Sequence, residues 1–187
     1  TDAIVFLGTT GEPSTLAFEE ECAVMEYAAK TVNKRAKVII GCGSNDTKHA
    51  IKMAQTAESY GADGLLAVTP YYNKCTQNGL VAYYKAICEA VSIPVIAYNV
   101  PGRTGVEIQP ATMAKIAEIP NIAGIKDAGG NMSKTMETFR LVREKCDGYS
   151  GEDALNFPIL AVGGAGVISV VSNIAPKAVK TLCSLIA

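Results

Sequence analysis

One pattern constrains this chain more than any other: a short apolar run followed by a longer amphipathic stretch, repeated along its length. The runs are AIVFLGT (3–9), KVIIGCG (37–43), GLLAVTP (64–70), PVIAYNV (94–100), IAGIKDA (122–128), GYSGE (148–152) and GVISVV (166–171). They are apolar at both parities, as strands of a parallel sheet covered on both faces are. Between them lie helical patterns. From Asp46 to Tyr60 the positions Ala50, Ile51, Ala54 and Ala57 share a face, with Asp46 as N-cap and Gly61 at C′. Gln77 to Val91 carries Leu80, Tyr84, Ile87 and Val91. Pro110 opens a helix with Met113, Ile116 and Ala117, and Met136, Phe139 and Val142 mark another. Strand then helix, repeated, is a parallel α/β fold. Pattern alone leaves both a (β/α)8 barrel and an open doubly wound sheet. An eight-fold barrel takes about 250 residues. At 187 residues the chain falls short of that, and we count seven strands in one domain spanning 1–187.

Charge and composition exclude several classes. The formal net charge is −1 and no basic stripe is present, which argues against nucleic acid as a partner. No apolar run approaches a membrane span and no secretory signal is visible, so a cytoplasmic location without a membrane partner is expected. The six cysteines are scattered without a CxxC pair, and the chain has one histidine. That argues against a zinc site and for reduced thiols in a core.

In a fold of this class the chemistry sits at the C-terminal ends of the strands. Those ends and the loops after them hold Thr9-Thr10-Gly11-Glu12, Gly43-Ser44-Asn45, Thr69-Pro70-Tyr71-Tyr72-Asn73, Tyr98 to Arg103, Lys126-Asp127, Gly151-Glu152-Asp153 and Ser169. Lys126 is the sharpest of them, because it interrupts an apolar strand. Burial lowers a lysine pKa, and a neutral amine attacks ketones to form a Schiff base. The plainer reading pairs Lys126 with Asp127 or another carboxylate at the sheet edge. Tyr98 could relay protons or simply pack. Thr9-Thr10-Gly11 could greet an anion or form an ordinary turn. Arg103 could grip a carboxylate or stay in solvent.

Taken together, GTTGEPSTL (8–16), TPYYN (69–73), YNVPGRTG (98–105), GIKDA (124–128), SGEDA (150–154) and GVISV (166–170) resemble the motif set of the dihydrodipicolinate synthase family, in order and in spacing. The resemblance implies a TIM-type barrel. It implies that Lys126 forms an imine with pyruvate, that Tyr98 and Thr10 relay protons, and that Tyr72 completes the relay from a neighbouring subunit. It further implies that Thr9 and Thr10 meet the pyruvate carboxylate, Arg103 meets aspartate semialdehyde, and the backbone at Gly151 and Ile168 lines the pyruvate pocket. No cofactor or metal is implied beyond that covalent imine, and the expected assembly is a homo-oligomer. Lyases that cleave sialic acid or keto-deoxy sugar acids share the lysine and tyrosine, but resemble the chain less at GTTGE and PGRTG.

The family also carries a strand and helix before its GTTGE strand, and further helices at its C-terminal end. The expectation is therefore an incomplete barrel of seven strands with two open edges, and a relative that folds without turnover is a third reading. Lysine-inhibited members use a carboxylate and imidazoles where this chain has His49, Phe18 and Glu21, while Asn45 and Tyr71 match. Weak or absent inhibition by lysine is the expectation.

Overall fold

A computed structural model of the chain describes residues 1–186. The order is β1 (Ala3–Phe6), α1 (Phe18–Val32), β2 (Lys37–Gly41), α2 (Thr47–Ser59), β3 (Gly64–Val68), α3 (Gln77–Glu89) and β4 (Val95–Asn99). There follow α4 (Pro101–Thr104), α5 (Pro110–Ile116), β5 (Ile122–Asp127), α6 (Met132–Val142), β6 (Asp147–Ser150), α7 (Asn156–Ala161), β7 (Gly166–Val167) and α8 (Pro176–Ile186). All strand pairs are parallel, and the sheet runs β1 to β7 in sequence order. A doubly wound sheet reverses its strand order at a switch point. This one never does, which removes that alternative and leaves the barrel.

The sheet curls. Leu66, Val68, Tyr98 and Val100 form one inner cluster, and Val5 near one sheet edge and Ile168 near the other both pack on it. Outside the curl, Lys180 of α8 reaches Asp2, just before β1, at 2.9 Å. Both partners are exposed, so this pair contributes little stability. Among the described residues, no strand pairs with the outer edge of β1 or of β7.

The larger core lies between the sheet and its helices. Ala50, Ala54 and Ala57 of α2 are fully buried there, and their small side chains let the helix sit close to β2 and β3. Asp46 caps α2 as expected, accepting a hydrogen bond from Lys48 N at 3.0 Å. Pro110 opens α5 from its first turn. Two phenols pin α3 to the sheet: Tyr84 donates to Ala67 O at 3.0 Å and Tyr83 to Val68 O at 3.2 Å.

Three sequence expectations change. β1 ends at Phe6 rather than at residue 9, because Leu7 turns into the left-handed region at φ 54°. The Leu7 carbonyl rests on Gly41, where a Cβ would lie 2.0 Å from it, so the turn depends on a bare backbone in β2. β7 covers only Gly166–Val167, and the rest of its apolar run turns away into a 3-10 helix at Val171–Asn173. In α6 the buried face is Thr135, Thr138, Phe139 and Val142, whereas Met136 is 45 % exposed.

Candidate active site

β5 presents Lys126 to the inside of the curl. Its register partners are Tyr98 on β4 and Tyr149 on β6. Lys126 is 9 % exposed, and its Nζ lies 4.1 Å from the centroid of the Tyr98 ring. Burial pulls its pKa from 10.5 down to about 8, and the negative charge of Asp153 pushes back. Among the described residues, no carboxylate lies within ion-pair distance of Lys126 Nζ.

Asp127 is not its partner. Neighbours on a strand face opposite ways, and Asp127 points into the helix layer. There it accepts hydrogen bonds from Asn99 Nδ2 at 2.8 Å, Gly129 N at 3.2 Å and the Thr135 hydroxyl. Asn99 Oδ1 in turn accepts from Ile108 N at 3.0 Å. This network anchors the ends of β4 and β5 to α6 and the loop before α5, so the strands that carry Tyr98 and Lys126 are held from behind. The plainer reading of Lys126 as half of a local ion pair falls.

Tyr98 is buried, and burial raises its pKa; Thr9 and Arg103 nearby oppose that rise and Glu152 adds to it. Thr9 and Thr10 sit in a 3-10 turn, Thr9–Gly11, at the end of β1. Of the two hydroxyls it is that of Thr9 that influences the Tyr98 phenol. The resemblance gives Thr10 the relay place, and the contact with the phenol is made by its neighbour Thr9. A one-turn helix aims adjacent side chains about 120° apart, so only one of the pair can face the phenol.

Gly151 and Ile168 line the same end of the sheet. A Cβ on Gly151 would come within 2.9 Å of Lys126 Cγ and Cε, so only glycine leaves this lysine its place. Ile168 N donates to Ser150 O at 2.8 Å, and its side chain joins the cluster around Tyr98. Arg103 stands on the rim, on α4, lining an open hollow with Tyr71, Tyr72, Lys74, Thr104 and Gly105. Tyr72, on the same hollow, is 87 % exposed, with a left-handed φ of 70°.

Two strand-end residues that carry no role in the sequence reading act on the site, Asp153 on Lys126 and Glu152 on Tyr98, and Tyr149, absent from that reading, is the register partner of Lys126. Burial and the adjacent Asp147 raise the Tyr149 hydroxyl to about 12. Its place beside Lys126 follows from sheet register, which no local signal carries.

A curled parallel sheet in this strand order, with a desolvated amine at its C-terminal edge, defines a barrel of the TIM type. The chain belongs to the dihydrodipicolinate synthetase family, which it matches over residues 1–187. It is similar to the 4-hydroxy-tetrahydrodipicolinate synthase of Geotalea uraniireducens, 53 % identical over 97 % of the chain and 63 % of that protein. It is likewise similar to the enzyme of that name from Clostridium novyi, 49 % identical over 99 % of the chain and 62 % of the relative. Among solved structures it superposes on the chloride-inhibited dihydrodipicolinate synthase of Acinetobacter baumannii complexed with pyruvate. There the TM-score is 0.97 and the identity 47 %, over 100 % of this chain and 64 % of the other. The chain thus spans under two thirds of the length of these relatives.

Proposed function

We propose that this chain carries the catalytic edge of a 4-hydroxy-tetrahydrodipicolinate synthase, condensing pyruvate with aspartate semialdehyde through an imine on Lys126. The observation that carries the reading is the buried Lys126, with no carboxylate at ion-pair distance among the described residues and its pKa pulled to about 8. At pH 7 such a lysine holds roughly 300 times more free amine than one at 10.5.

The free amine adds to the pyruvate ketone. Loss of water gives the imine, with a proton delivered to the departing oxygen. Tyr98, within reach of the amine and beside Thr9, is the group suited to move that proton. The imine withdraws electrons, a methyl proton leaves, and an enamine forms. Its carbon attacks the aldehyde of the second substrate, whose carboxylate Arg103 is suited to hold at the rim. The substrate amine then attacks the imine carbon, closes the ring and releases Lys126. One water leaves in the net reaction, and the covalent imine supplies the activation without a cofactor. The exposed side chain of Tyr72 supports a second proposal, that it completes the relay in a neighbouring copy of a homo-oligomer.

Borohydride reduction in the presence of pyruvate, followed by peptide mass mapping, tests the reading. A pyruvyl adduct on Lys126 is the expected result. An intact fold with no adduct would favour a non-catalytic relative, and an adduct elsewhere would move the nucleophile.

A further inference from the structure

Asp153 lies in the loop after β6, two residues beyond Gly151. Its Oδ2 accepts from Val170 N and Val171 N, each at 2.9 Å, at the start of the 3-10 helix that follows β7. Its Oδ1 accepts from Asn156 Nδ2 at 2.9 Å, and the Ser169 hydroxyl is a further partner. One carboxylate therefore ties the β6 loop to α7 and to the β7 loop. Both loops carry backbone that lines the lysine pocket: Gly151, which abuts Lys126, and Ile168, which packs near Tyr98.

We propose that Asp153 is a positioning residue: its carboxylate clamps the two strand-end loops together and holds a fixed negative charge near the Lys126 amine. The inference deepens the Schiff-base reading and rests on it for the role of Lys126. Charge and clamp are held together by the same bonds. Partial burial works against ionisation of Asp153, but the donors from Ser169, Val171, Asn156 and Val170 outweigh it and keep the pKa below the ordinary carboxylate value. The carboxylate thus stays charged at every pH at which the lysine titrates. Its charge favours the ammonium form of Lys126 against the pull of burial. Without it, the amine would lose its proton at lower pH.

A near-isosteric variant separates the two contributions. In Asp153→Asn the remaining oxygen can still accept from Val170 N and Val171 N. The new amide can donate to Asn156 Oδ1, which is buried without a partner among the described residues, once the Asn156 amide turns over. Asp153→Asn removes the charge and keeps the clamp; Asp153→Ala removes both.

The first readout needs no substrate. Competitive acetylation of the full chain across pH 6–11, with mass mapping of the Lys126 peptide, reports the pKa of the amine. The wild type should show an inflection near 8, and Asp153→Asn should move it down by roughly 0.5 unit, as one partly screened charge does. The second readout is pyruvate trapping by borohydride against pH. Asp153→Asn should shift that curve the same way and keep its plateau within about twofold. Asp153→Ala should lower the plateau roughly tenfold, through loss of pocket geometry. If circular dichroism shows Asp153→Ala unfolded, the asparagine variant alone decides. An unmoved inflection in Asp153→Asn overturns the proposal, whether trapping stays at wild-type level or falls as in the alanine variant. A shifted inflection in a chain that traps no pyruvate would uphold Asp153 and refute the pyruvate reading instead.

Discussion

Burying Lys126 costs stability, and the size of that cost can be worked out and tested. The amine drops from 10.5 to about 8 on folding. At about 1.4 kcal/mol per pH unit, the difference sets a ceiling of about 3 kcal/mol on the penalty the native state bears at neutral pH. Relaxation and water penetration reduce what is observed to roughly 1–2 kcal/mol. Lys126→Met keeps the length of the side chain and removes the charge, so it should abolish pyruvate trapping and stabilise the fold at pH 7. The pH dependence follows from the sign of the shift. Below pH 8 both states hold the proton and the full penalty stands. Between 8 and 10.5 the native state releases it first, so wild-type stability recovers as pH rises. The advantage of Lys126→Met should thus fall to under half between pH 7 and pH 9.5. Buried thiols act in the opposite direction. Burial raises Cys42 to about 12 and Cys88 and Cys146 to about 11, so they ionise first in the unfolded chain and destabilise both proteins at alkaline pH. Taking the difference between the two proteins cancels them. Urea unfolding followed by circular dichroism at both pH values measures it. A variant no more stable than wild type at pH 7, or an advantage that ignores pH, would refute the reasoning.

Three further outcomes are expected. Arg103→Ala should impair use of aspartate semialdehyde by roughly a hundredfold while leaving pyruvate trapping within about threefold, because Arg103 stands on the rim, on α4; equal loss of both in steady-state and trapping assays would make its role structural. Gly151→Ala should lower trapping by about a hundredfold and stability by roughly 1–3 kcal/mol, since its Cβ would meet Lys126 Cγ and Cε at 2.9 Å; an active, stable alanine variant would show that the strand end yields. Lysine should inhibit weakly or not at all, because burial raises the pKa of Glu21 beside His49 and Lys52, and the Phe18 ring already carries Lys52 Nζ at 3.5 Å; tight lysine binding by calorimetry would contradict this.

Local residues carried much of this architecture. The apolar runs located all seven strands, Asp46 and Pro110 marked their helix starts, and Lys126 stood out as the charge in an apolar strand. What stayed hidden depends on contacts distant in sequence. Parallel strands buried on both faces lack hydrophobic alternation, so nothing local says whether Lys126 or Asp127 faces inward. The end of β1 depends on Gly41, and the early end of β7 on the grip of Asp153 on Val170 N and Val171 N. Which of Thr9 and Thr10 meets the Tyr98 phenol lies in the rotation of one 3-10 turn.

The same parity that hides the site also explains how the chain tolerates it. On β5 the inward positions are Gly124 and Lys126, and the outward ones include Ile125 and Asp127. Gly124 gives way to the Tyr149 ring, since a Cβ there would come within 2.9 Å of Tyr149 Cε2. Tyr149 then flanks Lys126 on one side as Tyr98 does on the other. Two aromatic walls desolvate the amine, and among the described residues no carboxylate pairs with it at ion-pair distance, so it is left open to an incoming electrophile. The outward side does the reverse. Asp127 is given the three donors its charge requires, from Asn99, Gly129 and Thr135. A desolvated amine keeps its place only where its strand end is held, and the satisfied carboxylate one residue away supplies that restraint. Removing the Asn99 or Thr135 donors should therefore loosen Lys126 without touching its pocket, lowering the rate of imine formation more than the affinity for pyruvate.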